Sequence, residues 1–254
     1  MHFKTSFSEY DLIQTEDGSW AIYSDYYKEN SHSLVGAKSE TEYNFIQGCE
    51  IGPKMKSYSS IQVLEVGFGI GNGIATTFNF WKSQNERPQY FTFISQEIDP
   101  ELVTYSFEHG PYKDDLKFFH KNELWSWTYI EDGHKFELIV LPGDARKKIA
   151  EVPSDTIDAI FQDAYSPGKN PDLWTLEWFQ DLKQVARKDC VMTTYSASAR
   201  IRRAMAQAGW SVVDKKGFGS KRSMSVAYSE EHSESINEKL LKANLEALQD
   251  KDLA

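Results

Sequence analysis

The chain has 254 residues, with 28 Lys and Arg against 38 Asp and Glu, a formal net charge of −10, and an apolar fraction of 40%. That composition excludes a disordered polyanion and supplies the core of one large α/β domain or two small ones. Two cysteines, Cys49 and Cys190, exclude a disulfide framework or a zinc cluster, and every apolar run is short of the roughly 20 residues that span a bilayer.

In chain order, DLIQT and SWAIYS flank the turn-like EDG and read as a small N-terminal β element. Residues 39–48 (SETEYNFIQG) open on a Ser-x-x-Glu capping pattern and predict a helix carrying Tyr43, Ile46 and Gln47. Strands and helices then alternate. IQVLEV at 61–66 is a buried strand, followed by a glycine turn and a helix over 72–81. YFTFISQ at 90–96 is the second strand, with Glu97 and Asp99 at its end and a helix over 101–109 behind it. FELIVL at 136–141 ends in Pro-Gly-Asp-Ala, and TIDAIFQ at 156–162 ends at Asp163. A helix over 174–185, a strand at 190–195, a helix over 198–208 and a late strand pair at 210–214 and 223–228 follow. Leu241, Leu245 and Leu248 recur at i, i+4 and i+7 and predict an amphipathic helix in the tail.

The alternation implies a mostly parallel, doubly wound α/β sheet, whose ligands bind outside the carboxyl ends of the strands. The expected division is an N-terminal β/helix extension (1–50), a core (51–229) and an acidic helical tail (230–254). Glu97, Asp144 and Asp163 all fall at strand ends, where the chemistry is expected.

The sharpest local signal is VLEVGFGIGNG, residues 63–73. Gly67, Gly69 and Gly71 allow a tight strand-to-helix turn and close approach to a ligand, as many dinucleotide loops also do. Two features favour a different ligand. Glu65 stands inside the strand, and Glu97 is placed to accept both hydroxyls of a ribose. Asp144, beside Ala145, is placed to accept from an adenine amino group, although a helix N-cap explains an aspartate there equally well. The ordered set reads as a site for S-adenosylmethionine rather than NAD. Asp163 opens DAYSPGKNPDLW, an irregular loop that can wall a substrate pocket, with Tyr165 and Trp174 as flanking aromatics or as core.

LEVGFGIGNG, QEID, PGDA, FQDAYSPGKNPDLW, TTYSASARIRRAMAQAGW and GFGSKRSMSVA together resemble the MnmC-type methyltransferase family, from about residue 11 to 228. The resemblance implies a class I S-adenosylmethionine-dependent methyltransferase with a Rossmann-like sheet. Its implied reaction is methylation of the exocyclic amine of 5-aminomethyl-(2-thio)uridine at the tRNA wobble position, in a stand-alone form without the fused oxidase of bifunctional members. One departure stands out: family loops usually read Gly-Phe-Gly-Thr-Gly-Leu-Asn, whereas Ile70 and Gly73 replace the Thr and Asn here.

For methyl transfer to an amine, alignment and desolvation carry most of the catalysis, and a carboxylate can orient the amine and take its proton. Asp163 is the candidate, with Tyr165 and Tyr195 as helpers; cofactor holding is the competing role for Asp163. Cofactor contacts are assigned to Glu65, Gly67, Gly69, Gly71, Glu97, Asp144, Ala145 and Asp163. The acidity of the chain is uneven: residues 183–222 hold ten basic side chains against two acidic ones, a net +8. Arg200, Arg202, Arg203, Lys221 and Arg222 are therefore expected to grip phosphates of the anticodon stem-loop, a solvated face being the alternative. A cytoplasmic protein with tRNA as partner, no membrane and no metal is expected, and a homo-oligomer is compatible with the sequence. The rival readings are an aminopropyltransferase resembling spermidine synthase, which shares the acids at the strand ends but carries a second Asp where Tyr165 and Ser166 stand, and a non-catalytic S-adenosylmethionine-binding module.

Overall fold

A computed structural model describes residues 1–123 and 125–253; Ala254, the last residue of the expected tail, lies outside the described residues. Four short strands, β1 (His2–Lys4), β2 (Glu9–Gln14), β3 (Trp20–Ser24) and β4 (Glu29–Asn30), form an antiparallel sheet at the N-terminus. The sequence marked only the middle two. Helix α1 (Ala37–Thr41) runs on as a π-helical segment over Glu42–Gln47, and α2 (Ile51–Ser57) follows. The expected Ser39 cap is not formed. Gly36 stands at the N-cap, and Ser39 instead bonds through its amide and hydroxyl to Asp17 in the β2–β3 turn, at 3.0 and 2.7 Å.

The core alternates β5 (Ser60–Val66), α3 (Asn72–Ser83), β6 (Tyr90–Glu97), α4 (Pro100–Glu108) and α5 (Lys113–Leu116), then β7 (His120–Glu123), β8 (Ser126–Glu131), β9 (His134–Pro142) and α6 (Ala145–Lys148). It continues through β10 (Ile157–Gln162), α7 (Leu176–Val185), β11 (Ala186–Thr194), α8 (Ala199–Gln207), β12 (Ser211–Lys215), β13 (Met224–Tyr228) and α9 (Asn237–Lys242). The sheet order is β12-β13-β11-β10-β5-β6-β9-β8-β7. The five central strands are parallel, as the alternation predicts, and both margins are antiparallel. The sheet is thus mixed. The β7–β8 hairpin was not foreseen because every residue of β7 is exposed, leaving no period-two apolar pattern to read.

Two apolar layers flank the sheet because successive side chains of each strand point to opposite faces. Leu64 and Val66 pack with Ile160, Trp174 and Trp178; Ile61 and Val63 pack with Phe78, Trp81 and Phe93. The chain leaves β5 towards β6 and β9, then returns to β10 on the other side of β5, so the order reverses between β5 and β10. A crevice opens at such a reversal.

The N-terminal sheet is fixed over that crevice through Asp99. This buried carboxylate caps α4 through the amides of Glu101 and Leu102, and also accepts from Thr5 Oγ1 at 2.6 Å and Tyr10 Oη at 2.9 Å.

The tail departs from the expected helix. Only α9 is helical among 237–248, Leu240 rather than Leu241 faces inward, and Leu241 and Leu245 are exposed. The helix ends at extended Ala243, where the Arg203 guanidinium takes the carbonyls of Leu240 and Ala243. Beyond it the chain is anchored by Leu248, buried against the core, whose carbonyl accepts from the Leu176 amide at 2.8 Å.

Candidate active site

A cavity of about 390 Å³ fills the crevice, walled by the glycine loop, the ends of β6, β9 and β10, and Phe7, Tyr10, Tyr26, Tyr27 and His32 from the N-terminal unit. Gly67 and Gly69 have φ of +103° and +56°, and a Cβ on Gly67 would press on the Asp163 carbonyl at 3.1 Å. Bare backbone thus faces the cavity.

Glu97 is buried at the end of β6. Its Oε2 accepts from the Gly69 amide at 2.8 Å and its Oε1 from the Asp99 amide at 3.0 Å, which fixes the carboxylate in place. Burial pushes its pKa up to about 7 in spite of those two amides. Glu65 points from β5 towards α3 and accepts from Ser95 Oγ at 2.5 Å; burial holds its carboxyl well above the ordinary range. Asp144 lines the cavity and caps α6 through the Arg146 amide at 3.0 Å, so the N-cap and ligand-facing roles coincide. Ala145, the first residue of α6, also lines the cavity, as does Gln96, whose Oε1 is buried with no donor among the described residues.

Asp163 follows β10 and faces the cavity from the opposite side of the glycine loop. Burial raises its pKa to about 7, against the opposing pull of His32 and Lys221. Tyr165 lines the cavity and stacks on Tyr27 with ring centroids 4.2 Å apart. Trp174 is core: it is fully buried, and its Nε1 donates to the Tyr165 carbonyl at 2.8 Å, which braces the loop. Tyr195 is likewise engaged, donating to the Ala164 carbonyl at 2.7 Å.

The sequence reading missed His32, Glu40 and Tyr27. His32 Nδ1 stands 3.8 Å from Asp163 Oδ2 and 3.7 Å from Glu40 Oε2, and Glu40 Oε1 accepts from Lys221 Nζ at 2.7 Å. No local motif announces them.

The basic stretch needs correcting. Arg202 is buried and donates to Ser225 Oγ, Asp214 Oδ1, Ser223 Oγ and the Met224 carbonyl, so it ties α8 to the β12–β13 hairpin rather than to a phosphate. Arg203 closes α9. Arg200 pairs with Asp252 at 2.8 Å, Lys215 with Glu234 and Lys188 with Glu230, all three acids lying beyond β13. The acidic tail therefore offsets three of the charges in the stretch that read as +8. Lys221 is committed to Glu40, and its Nζ lies 5.0 Å from the Tyr195 ring centroid. Among the described residues, Lys216 and Arg222 are exposed and make no ion pair. Arg202→Ala is expected to cost about 3 kcal/mol of stability, because it strips a buried carbonyl and two hydroxyls of a charged donor; urea unfolding of the variant measures it.

Comparison with known proteins fits this geometry. The profile of an S-adenosyl-L-methionine-dependent methyltransferase family matches residues 112–230. The crystal structure of MnmC2 from Aquifex aeolicus superposes with a TM-score of 0.75 at 30% identity, over 94% of this chain and 77% of that one. The chain belongs to the MnmC methyltransferase family. It is also 29% identical over 217 residues to the tRNA 5-methylaminomethyl-2-thiouridine biosynthesis bifunctional protein MnmC of Paraburkholderia phymatum, covering 80% of this chain. The chain spans about a third of the length of that relative. Spermidine synthase from Thermotoga maritima matches with a TM-score of 0.60 at 13% identity, a likeness of fold alone.

The MnmC-family cavity fits S-adenosylmethionine in its donor set: glycine backbone, the buried Glu97 carboxylate that gains from hydroxyl donors, and the unpaired acceptor of Gln96. Among the described residues no group of acids, histidines or cysteines could hold a metal ion, and no helix is long and apolar enough to cross a membrane.

The Glu97 pKa is raised to about 7, so if its carboxylate takes the ribose hydroxyls as the sequence leads one to expect, protonation competes with that binding as pH falls through that value. The dissociation constant for S-adenosylmethionine is expected to weaken by roughly tenfold from pH 7.5 to 6, approaching one proton taken up per ligand released. Calorimetry at the two pH values checks this. Glu97→Gln should bind weakly at both, with the slope gone.

Proposed function

We propose that this chain methylates the exocyclic amine of 5-aminomethyl-(2-thio)uridine at the wobble position of the tRNA anticodon stem-loop. The observation that carries the reading is the Asp163 carboxylate, 10% exposed, at the far side of the glycine loop from Glu97 in a cavity also lined by Tyr26 and Tyr27. S-adenosylmethionine, when bound, supplies an electrophilic methyl group. Glu65, Gly67, Gly69, Glu97, Asp144 and Ala145 hold that cofactor, whereas Gly71, expected among them, caps α3 and faces Phe68, Ile74 and Leu116 instead of the cavity. Asp163 accepts a hydrogen bond from the incoming amine, orients its lone pair and takes the proton that the nitrogen releases on methylation. Tyr165, stacked on Tyr27, supplies a flat wall against which a nucleobase can lie.

Contact with phosphates falls to the cations left free of internal partners, Arg222 and Lys216, together with Lys169 on the cavity wall. The dependence of binding on salt should be correspondingly shallow. Each neutralised phosphate adds about 0.9 to the log–log slope on duplex DNA and less on single strands.

The deciding experiment incubates the protein and S-adenosylmethionine with tRNA from cells lacking this methylation, followed by nucleoside mass analysis. A mass gain of one methyl on the aminomethyl nucleoside is expected. Turnover of decarboxylated S-adenosylmethionine with putrescine, and none on tRNA, would replace this reading with the aminopropyl-transfer one.

A further inference from the structure

His32 enters the cavity from the loop after β4, far in sequence from the acids it meets. Its side chain is 9% exposed. Its Nδ1 faces two carboxylate oxygens, Asp163 Oδ2 and Glu40 Oε2, at 3.8 and 3.7 Å, with no hydrogen-bond partner of its own among the described residues. A nitrogen lone pair aimed at two carboxylates would be repelled, so the proton sits on Nδ1.

Glu40 is held in turn. Its Oε2 accepts from the Ser33 amide at 2.8 Å and its Oε1 from Lys221 Nζ at 2.7 Å. The ring edge at Nε2 lies 3.5 Å from Asn72 Nδ2, whose amide also reaches the Ala37 carbonyl and Thr41 Oγ1. A row of alternating charge, Asp163–His32–Glu40–Lys221, thus leads from the cavity to the surface.

We propose that His32 is a positioning residue for Asp163: its imidazole, anchored by Glu40 and backed by Lys221, keeps the Asp163 carboxylate ionised and aimed at the substrate amine. The inference rests on the role of Asp163 proposed above.

The surroundings support it from each side. Burial of Asp163 disfavours its charged form, and the carboxylate of Glu40 adds to that. Only His32 and Lys221 oppose, and His32 is the nearer. The other titratable groups facing Asp163 are Glu65 from β5 and Tyr195 after β11, both held neutral by burial. For His32, burial works against the imidazolium, but Asp163 and Glu40 together hold its pKa above the ordinary value in spite of Lys221. Glu40 would also be raised by burial, yet His32 and Lys221 bring it down to about 2. The favoured arrangement is two carboxylates bracketing one imidazolium.

The sign of the effect follows. Asp163 acts as its carboxylate, which is populated above its pKa. Removing the imidazolium leaves Glu40 facing Asp163 unopposed except by Lys221, so the Asp163 pKa rises and the acid limb of the rate profile moves to higher pH.

The test compares the wild type with His32→Asn, His32→Ala and Asp163→Asn. Folding is checked by thermal melting and cofactor binding by calorimetry, and kcat/KM on tRNA carrying 5-aminomethyluridine is followed from pH 6 to 9.5. For His32→Asn the acid limb should move up by about one pH unit, a roughly fivefold loss at pH 7 that is recovered by pH 9. Affinity for S-adenosylmethionine at pH 9 should be unchanged. In parallel, proton NMR titration of the His32 ring in the protein without cofactor should show its pKa fall in Asp163→Asn. A pH profile of His32→Asn that superposes on the wild type, or an imidazole titration unmoved by Asp163→Asn, overturns the inference. Should Asp163→Asn itself keep full methylation, the failure lies with the role of Asp163, and the NMR arm still decides whether the two side chains are coupled.

Discussion

Asp163→Asn should lower methyl transfer by about 10²–10⁴-fold, the usual contribution of a positioned proton acceptor. The substitution keeps the shape of the side chain and removes its charge. The amide cannot take a proton from an ammonium, and one of its two polar atoms becomes a donor facing a donor. Cofactor affinity is expected to change by less than about tenfold, because Glu97 and Asp144, the groups proposed to take the ribose and adenine, lie on the opposite side of the glycine loop. Single-turnover methylation with saturating S-adenosylmethionine, set beside calorimetric binding, separates the two quantities. Equal losses in both would reassign Asp163 to holding the cofactor. A variant with its rate intact would remove it from the chemistry.

The second large effect is expected at Gly73→Ala. Gly73 lies in the first turn of α3, directly over Glu65, and a Cβ built there would stand 1.6 Å from Glu65 Oε1 and 2.8 Å from its Cδ. The carboxyl cannot swing aside cheaply, since it is buried and bonded to Ser95. Overpacking of this kind costs about 1–3 kcal/mol. The strain falls on the loop that carries Gly67 and Gly69, so a loss of more than about tenfold in cofactor affinity should accompany it. Thermal melting and calorimetry read the two effects. Combining Gly73→Ala with Glu65→Ala should recover part of the stability, a coupling that distant sites do not show. The departure of this loop from the usual family pattern is thereby accounted for at one position. Where an asparagine is usual, this chain has a neutral glutamic acid resting against bare backbone. Ile70, the other replacement, is buried between the loop and the N-terminal sheet, among Tyr10, Ile22 and Leu102.

What could be read from the sequence follows from where the signals are local. The central parallel strands are buried on both faces, so β5 and β10 read as mostly apolar segments, and the acids at the ends of β6, β9 and β10 stand out beside them. The glycines declare a loop by their own chemistry. His32, Glu40 and Tyr27 carry no such mark, because they join the site from an extension whose strands are short and whose partners lie over a hundred residues away. The basic stretch misled for a related reason. Its charges were counted without the carboxylates of the tail, and only tertiary structure brings Glu230, Glu234 and Asp252 onto Lys188, Lys215 and Arg200. The tail helix failed at Ala243 because a guanidinium from α8 was waiting for its carbonyls, a contact that no periodicity in the tail contains.

The docking of the N-terminal sheet through Asp99 has a bearing on how the molecule is assembled. Thr5 reaches Asp99 across 94 residues, and Glu29 accepts from the Ser166 amide across 137. Contacts of that span bring their loop-closure cost before any reward, so they form late. The strands of the N-terminal sheet are thus among the last to find their places. They remain loose until β10 and its following loop exist, and the pocket has no complete wall before then. A nascent or partly unfolded chain has the glycine turn early but has no site until the fold is finished.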